Sequence, residues 1–148
     1  MEGAKSAVEF VSNKIADGDF DRLQDSNALT DDCFRDIVLN SSKFSMDQRR
    51  LIALSKDDII YDFVYQIGVM LDDNRNTRHV EITYTAHYIP EKHAAVNDEM
   101  QGFTEFQRSI IVLTYRFIRN YTKGVEDSWT INGLNHVSMR DITDGHGY

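Results

Sequence analysis

The chain has 148 residues and a mass of 17.1 kDa, which fits one domain with one sizeable core. Its 41% hydrophobic and 27% charged residues are typical of a globular protein and exclude a disordered or collagen-like chain, and no apolar run reaches the ~20 residues of a membrane span. The net charge of −8 opposes binding to phosphate backbones, so we expect no nucleic-acid partner.

Cys33 is the single cysteine, which excludes an internal disulfide and a cysteine-based zinc cluster and favours a reducing compartment. The N-terminal residues have neither the layout of a signal peptide nor that of a transit peptide. We therefore expect either a cytosolic protein or one whose targeting segment has been removed.

The first third of the chain has a helical pattern. Apolar residues recur at three- and four-residue steps from Ala4 to Ile15, and Gly18 can end this first helix. A short second helix is expected around Phe20 and Leu23. Thr30 can cap a third helix, and Ser45 with Gln48 has the spacing of a capping box that opens a fourth.

After Lys56 the apolar period changes from about 3.6 to 2, which indicates strands. Seven alternating residues are predicted to share one face of a first strand: Ile59, Tyr61, Phe63, Tyr65, Ile67, Val69 and Leu71. A polar turn at 72–76 joins it to a second strand, in which Val80 to Tyr88 alternate, and Pro90 ends this hairpin.

The remaining segments complete a sheet. Residues 91–104 are polar and predict a surface crossover. The stretch 106–121 fits a buried helix or a buried strand, and its β-branched and aromatic content favours a strand; 129–137 predicts the last one. We expect an α+β domain over 1–140, with helices on one face of a curved, mostly antiparallel four-stranded sheet that forms a cone with a pocket, and a flexible tail at 141–148.

Short segments along nearly the whole chain, from Gly3 to Arg140, resemble a known family. The opening GAKSA and VSNK followed by GDFDRL is similar to the start of the domain shared with the C-terminal part of subunit 44 of the mitochondrial inner-membrane translocase. The later segments resemble the members of this family that interact with the m-AAA protease: Asp57–Tyr61, Val80–Ile82, Tyr115–Phe117, Thr122–Val125, Trp129–Ile131 and Asn135–His136. Two loops depart from the pattern, since 25–29 is longer and 91–104 is shorter.

This resemblance implies a cystatin-like or nuclear-transport-factor-2-like fold. The chain has no nucleophile elbow, phosphate-binding glycine loop or dinucleotide fingerprint, so we expect no cofactor. The resemblance also implies a non-enzymatic adaptor in the mitochondrial matrix, peripheral to the inner membrane and lacking its presequence here. Such an adaptor binds m-AAA protease subunits and assists imported hydrophobic precursor proteins, as one member does for a regulatory subunit of the calcium uniporter. One alternative is a peripheral inner-membrane tether of the import-motor or mitochondrial-ribosome type. Another is a small isomerase- or dehydratase-like enzyme in a cone fold.

Catalysis in a cone would need a carboxylate or histidine that points into the pocket. The strand-borne candidates are Asp58, Asp62, Glu81, His87 and His136. Asp62, Glu81 and His87 alternate with the apolar rows and are predicted to face solvent, while His136 is expected to lie on the sheet surface or in a hydrogen bond. We expect no catalytic residue, and the histidine spacings predict no metal site.

The tyrosines offer a candidate pocket for a peptide or acyl chain, lined by Tyr61, Tyr65, Tyr84, Tyr88 and Tyr115. The favoured alternative is that they fill the core. A candidate basic contact surface consists of Arg108, Arg116, Arg119 and Lys123, which could meet anionic lipid headgroups or acidic partner segments. The favoured alternative is that these charges keep the surface soluble and pair across strands with Asp62 or Glu81.

Overall fold

The computed structural model describes residues 2–90 and 110–138. Four helices come first, followed by a short 3-10 turn at Lys56–Asp58 and four strands. The helices are α1 (Glu2–Asp17), α2 (Phe20–Asp25), α3 (Asp31–Ser41) and α4 (Met46–Ile52), and the strands are β1 (Ile59–Asp72), β2 (Thr77–Tyr88), β3 (Ile111–Asn120) and β4 (Thr130–Ser138). The predicted crossover at 91–104, the tail at 141–148 and Arg108 lie outside the described residues.

The predicted helix starts are confirmed by their caps. The Thr30 hydroxyl accepts the Cys33 N–H at 3.3 Å and opens α3. At α4 the Ser45 hydroxyl accepts the Gln48 N–H at 3.1 Å, while the Gln48 side chain accepts the Ser45 N–H at 2.8 Å. These bonds satisfy amide groups that have no partner inside the helix, so local sequence is enough to start both helices.

The four strands form an open antiparallel sheet in the order β1-β2-β3-β4, with the helices packed on one face. This confirms the α+β fold class and the choice of a strand over a helix for β3. The loop between α2 and α3 is bonded to the outer edge of β4. There the Ile131 N–H donates to the Ala28 carbonyl at 2.8 Å, and the Thr30 N–H donates to the Ile131 carbonyl at 2.9 Å.

The core lies between the helices and the sheet face that they cover, which we call the inner face. Val8, Val11 and Ile15 of α1 are buried there, as the helical periodicity predicts. The sheet contributes alternate buried residues of β2 and β3: Tyr84, Ala86, Tyr88, Ile111, Leu113, Tyr115 and Phe117. Each fully buried aliphatic side chain contributes on the order of 1.5–3 kcal/mol, so this layer provides the main attraction between helices and sheet.

Strand β1 does not present its seven alternating apolar residues on one face, contrary to the prediction. Its register against β2 shifts at Ile60 and again at Tyr65, where one extra residue interrupts the pairing. Each bulge moves the following side chains to the other face. Tyr61 and Phe63 therefore pair with His87 and Thr85 on the outer face, whereas the second bulge returns Ile67, Val69 and Leu71 to the inner face.

Candidate functional site

Two buried tyrosines hold the ring of His136 on the inner face of the sheet. The hydroxyl of Tyr88 lies 2.9 Å from Nδ1 of His136, and the hydroxyl of Tyr115 lies 3.0 Å from Nε2. Tyr115 continues to the Ser12 hydroxyl of α1 at 2.7 Å, and Tyr88 continues to the Leu51 carbonyl of α4 at 2.5 Å. The network thus joins α1 and α4 to strands β2, β3 and β4.

The chemistry of these groups fixes the direction of every bond. A carbonyl can only accept, so the Tyr88 hydroxyl donates to Leu51 and its oxygen accepts from Nδ1–H of His136. In a neutral imidazole Nε2 then accepts, and its donor is the Tyr115 hydroxyl. The Ser12 hydroxyl in turn donates to Tyr115. Protons therefore point along one continuous path from Ser12 to Leu51.

Burial holds these groups in their neutral forms. It lowers the pKa of His136 from 6.5 to about 4, because an imidazolium would lose its hydration there. It raises the pKa of Tyr88 and of Tyr115 well above their usual value, again because burial disfavours the charged form. At neutral pH His136 is uncharged and both of its ring nitrogens are occupied, which fits a positioning role better than proton transfer to a ligand.

A cavity of about 510 Å³ lies beside this network, between helices α3 and α4 and strand β4. Its apolar wall includes the side chains of Ile37, Phe44 and Leu134. His136 adds a polar group at one side. Asn40, Lys43, Gln48 and Asn135 line it as well and are exposed, so the polar groups form its rim. An apolar interior with a polar rim is the usual form of a site for a small ligand or for a protruding apolar side chain.

Exposed apolar side chains also occur on the two helices that line this cavity, α3 and α4. Leu39 and Met46 are 67% and 71% exposed, and Leu51, which lines the cavity, is 43% exposed. The predictions from sequence do not include this area, because Gln48 fits the pattern of a capping residue. The available signal was the presence of Leu39 and Met46 on solvent-facing positions of short helices, where a polar residue is the ordinary choice.

The carboxylate candidates for catalysis are engaged in structural contacts. Asp62 lies on the inner face and not on the predicted solvent face, because the bulge at Ile60 reverses the alternation. Its carboxylate accepts the Tyr84 hydroxyl at 3.0 Å and lies 4.0 Å from Nζ of Lys5. Asp58 accepts the Ser55 N–H at 3.0 Å, and Glu81 accepts the side-chain amide of Asn132 at 3.0 Å.

The other predicted groups add no ligand-binding cluster. His87 lies on the outer face, with its ring centroid 5.9 Å from that of Tyr61. Among residues 2–90 and 110–138 there is no group of three or more histidine, cysteine, aspartate or glutamate side chains that could hold a metal ion.

The five candidate pocket tyrosines do not lie together. Tyr84, Tyr88 and Tyr115 are fully buried under the helices, where they fill the core. Tyr61 and Tyr65 are 58% and 69% exposed on β1. The buried tyrosines thus reach the cavity only through His136, which Tyr88 and Tyr115 hold in place.

The candidate basic residues lie on different faces of the sheet. Arg116 is exposed on the outer face, paired with Gly133 of β4, where the guanidinium takes up the space that a side chain at Gly133 would occupy. Arg119 pairs with Val80 on the inner face and stacks on Tyr121, with 4.8 Å from Cζ to the ring centroid. Lys123 is exposed in the turn after β3.

The fold and the cavity define a class of protein, an α+β domain with a cavity between its helices and an open sheet. The chain is distantly homologous to m-AAA protease-interacting protein 1 of mitochondria. It is 23% identical to the rat protein and 21% identical to the human protein, in each case over 93% of this chain. The chain spans 50% of the length of these curated relatives.

The homology to these relatives is the sequence match on which a functional comparison can rest. No family model and no solved structure matches the chain. The relatives are named as mitochondrial proteins and for an interaction with a protease, not for a reaction. Of the helices in the described part of the chain, none has the length and apolar character needed to cross a bilayer.

Proposed function

We propose that this protein is a non-enzymatic adaptor of the mitochondrial matrix, peripheral to the inner membrane, that binds the m-AAA protease. The observation that carries the proposal is homology to a protein named for that interaction over 93% of the chain. The adaptor assists the biogenesis of hydrophobic inner-membrane precursors, such as a calcium uniporter regulatory subunit. The engaged carboxylates and the neutral, fully bonded His136 support a binding role over catalysis.

The partner contact that we propose is the cavity together with the exposed apolar residues near it, Leu39, Met46 and Leu51. A protruding apolar side chain of the partner enters the cavity, and the rim residues Asn40 and Gln48 bond its backbone. This replaces the five-tyrosine pocket by a site that Tyr88 and Tyr115 support from behind. A buried apolar centre with a polar rim is the common arrangement of specific protein contacts.

The test is affinity purification of the tagged protein from detergent-solubilised mitochondria, with quantitative mass spectrometry. We expect the m-AAA protease subunits to be enriched by the wild type. The double variant Leu39→Lys/Met46→Lys should lose most of that enrichment, since two charges are placed at the contact. Val125→Lys is the control, because it adds a lysine at an exposed apolar position between β3 and β4, away from the cavity.

Two other results would contradict the adaptor role or the proposed contact surface. Enrichment of translocase or ribosomal subunits without the protease would support the membrane-tether alternative, with Arg116 and Lys123 as the first basic residues to substitute. Equal protease enrichment by wild type and by Leu39→Lys/Met46→Lys would remove the cavity surface as the contact and leave the adaptor role standing.

A further inference from the structure

Strand β1 is an edge of the sheet with little protection. Among the described residues its main chain pairs with β2 alone. It is 14 residues long, and the nine residues from Phe63 to Leu71 carry no charge. Natural edge strands are usually short, or carry lysine or proline, because an open edge invites pairing with another strand. Here two bulges interrupt the first half of β1, and the second half, from Gln66 to Asp72, pairs regularly.

The same half of β1 exposes an apolar row. Ile67, Val69 and Leu71 share the inner face and are 63%, 63% and 65% exposed. A strand added to this edge would therefore gain main-chain hydrogen bonds and cover apolar side chains at the same time. Such addition is an established way for sheets to bind extended chains.

We infer that β1 pairs antiparallel with β1 of a second copy of this chain, in a two-fold symmetric dimer centred near Gly68. Identical strands that pair antiparallel are complementary by symmetry. With the two-fold axis perpendicular to the sheet, inner-face residues meet inner-face residues, so Ile67 of one copy lies opposite Val69 of the other. The inference goes beyond the proposed function and does not depend on it.

The uncharged run makes this edge the surface at which two copies repel each other least. Each copy carries a net charge of −8, so two copies repel over most of their surface, and the uncharged run is where they can meet. When the pairing is centred on Gly68 and the extra residue Tyr65 is skipped, as it is against β2, the paired segment runs from Phe63 to Asp72, and Asp72 of each copy lies opposite Phe63 of the other. No two carboxylates are then placed face to face across the new strand pair.

The dimer should be weak and dependent on salt. Pairing of two short strand segments buries less than the ~1,200 Å² of a standard stable interface, so we expect a dissociation constant in the micromolar range. Higher ionic strength should strengthen the association, because it screens the repulsion between two acidic chains.

Sedimentation velocity of the 148-residue chain, over about 10 to 500 µM, tests the inference. We expect the weight-average sedimentation coefficient to rise from the monomer value towards the dimer value. Val69→Lys should raise the dissociation constant at least ~10-fold, since it places a charge in the apolar row. Val125→Lys adds the same charge between β3 and β4 and should associate as the wild type does. A coefficient that stays at the monomer value, or a dimer unaffected by Val69→Lys, would overturn the inference.

Cross-linking tests the register of the pairing. A side chain at Gly68 would meet no atom within 4 Å, so Gly68→Cys is sterically accommodated. Burial raises the pKa of the native Cys33 thiol to about 11, which keeps it unreactive at neutral pH. A short bis-maleimide should link Gly68→Cys copies at several times the yield of Ser6→Cys, an exposed site on α1. Equal yields from the two variants would refute pairing centred near Gly68.

Discussion

His136 is held by a hydroxyl group on each side, so its position depends on two tyrosines that are themselves fixed in the core. Ser12 and Tyr115 are fully buried, and their hydroxyls bond to each other. A buried polar group that loses its partner costs much more than one at the surface, because no water replaces the bond. The network therefore couples the packing of α1 against the sheet to the orientation of the cavity wall.

Removal of one hydroxyl should expose this coupling. Tyr115→Phe leaves Ser12 without its acceptor and Nε2 of His136 without its donor. We expect a loss of about 2 kcal/mol in the free energy of unfolding, measured by urea denaturation. Tyr65→Phe removes a hydroxyl from a side chain that is 69% exposed and should cost less than about 0.5 kcal/mol. Similar losses in both variants would contradict the assigned network.

At the scale of elements, the helices were predictable and β1 was not. Caps at Thr30 and Ser45 act over three residues, so the sequence alone contains the whole interaction. The bulges at Ile60 and Tyr65 depend on the register against β2, which no local pattern in β1 records. For that reason the alternation placed Tyr61 and Tyr65 with the core tyrosines, and placed Asp62 in solvent.

Helix α4 has only seven residues and depends on its capping box. Ser45→Ala removes the acceptor of the Gln48 N–H, and we expect a cost of about 1 kcal/mol in the free energy of unfolding. Because the Gln48 N–H loses this acceptor, its amide hydrogen exchange should also accelerate. Ser128→Ala, at an exposed position outside any helix, serves as the control and should leave both measurements unchanged.

Over the whole molecule, the α+β class and the tyrosine-rich core follow from the order of periodicities along the chain. The cavity does not, because one of its walls is β4, which lies far in sequence from the helices α3 and α4 that form the others. The same holds for the hydrogen bond between Ser12 and Tyr115, which are 103 residues apart. A single sequence shows which residues are apolar, but it does not show which distant polar groups will meet.

The lowered pKa of His136 predicts how global stability depends on pH. The folded-state pKa is about 4 and the ordinary value is 6.5, so the unfolded chain binds this proton first as pH falls. The contribution of His136 to the free energy of unfolding is fully present above pH 6.5. It decreases by at most about 3 kcal/mol as the pH falls towards 4. Chemical denaturation at several pH values measures the slope of the free energy of unfolding against pH.

His136→Gln should flatten that slope between pH 6.5 and 4, because the titrating group is removed. His79→Gln is the matched control, since it removes a histidine on the other face of the sheet and should keep the wild-type slope. If wild type and His136→Gln lose stability in parallel over this range, the protonation of other groups controls the acid response and the assignment to His136 is wrong.

The loop segment bonded to the outer edge of β4 makes the two ends of the sheet unequal. Ala28 and Thr30 already occupy the main-chain groups of Ile131 that face outwards, whereas β1 has no such cover among the described residues. A sheet that was open at both ends could extend by adding copy after copy, which leads to fibres. Because the chain itself occupies the start of the β4 edge at Ile131, repeated edge-to-edge addition is hindered at that end, and association through β1 favours a dimer over a fibre.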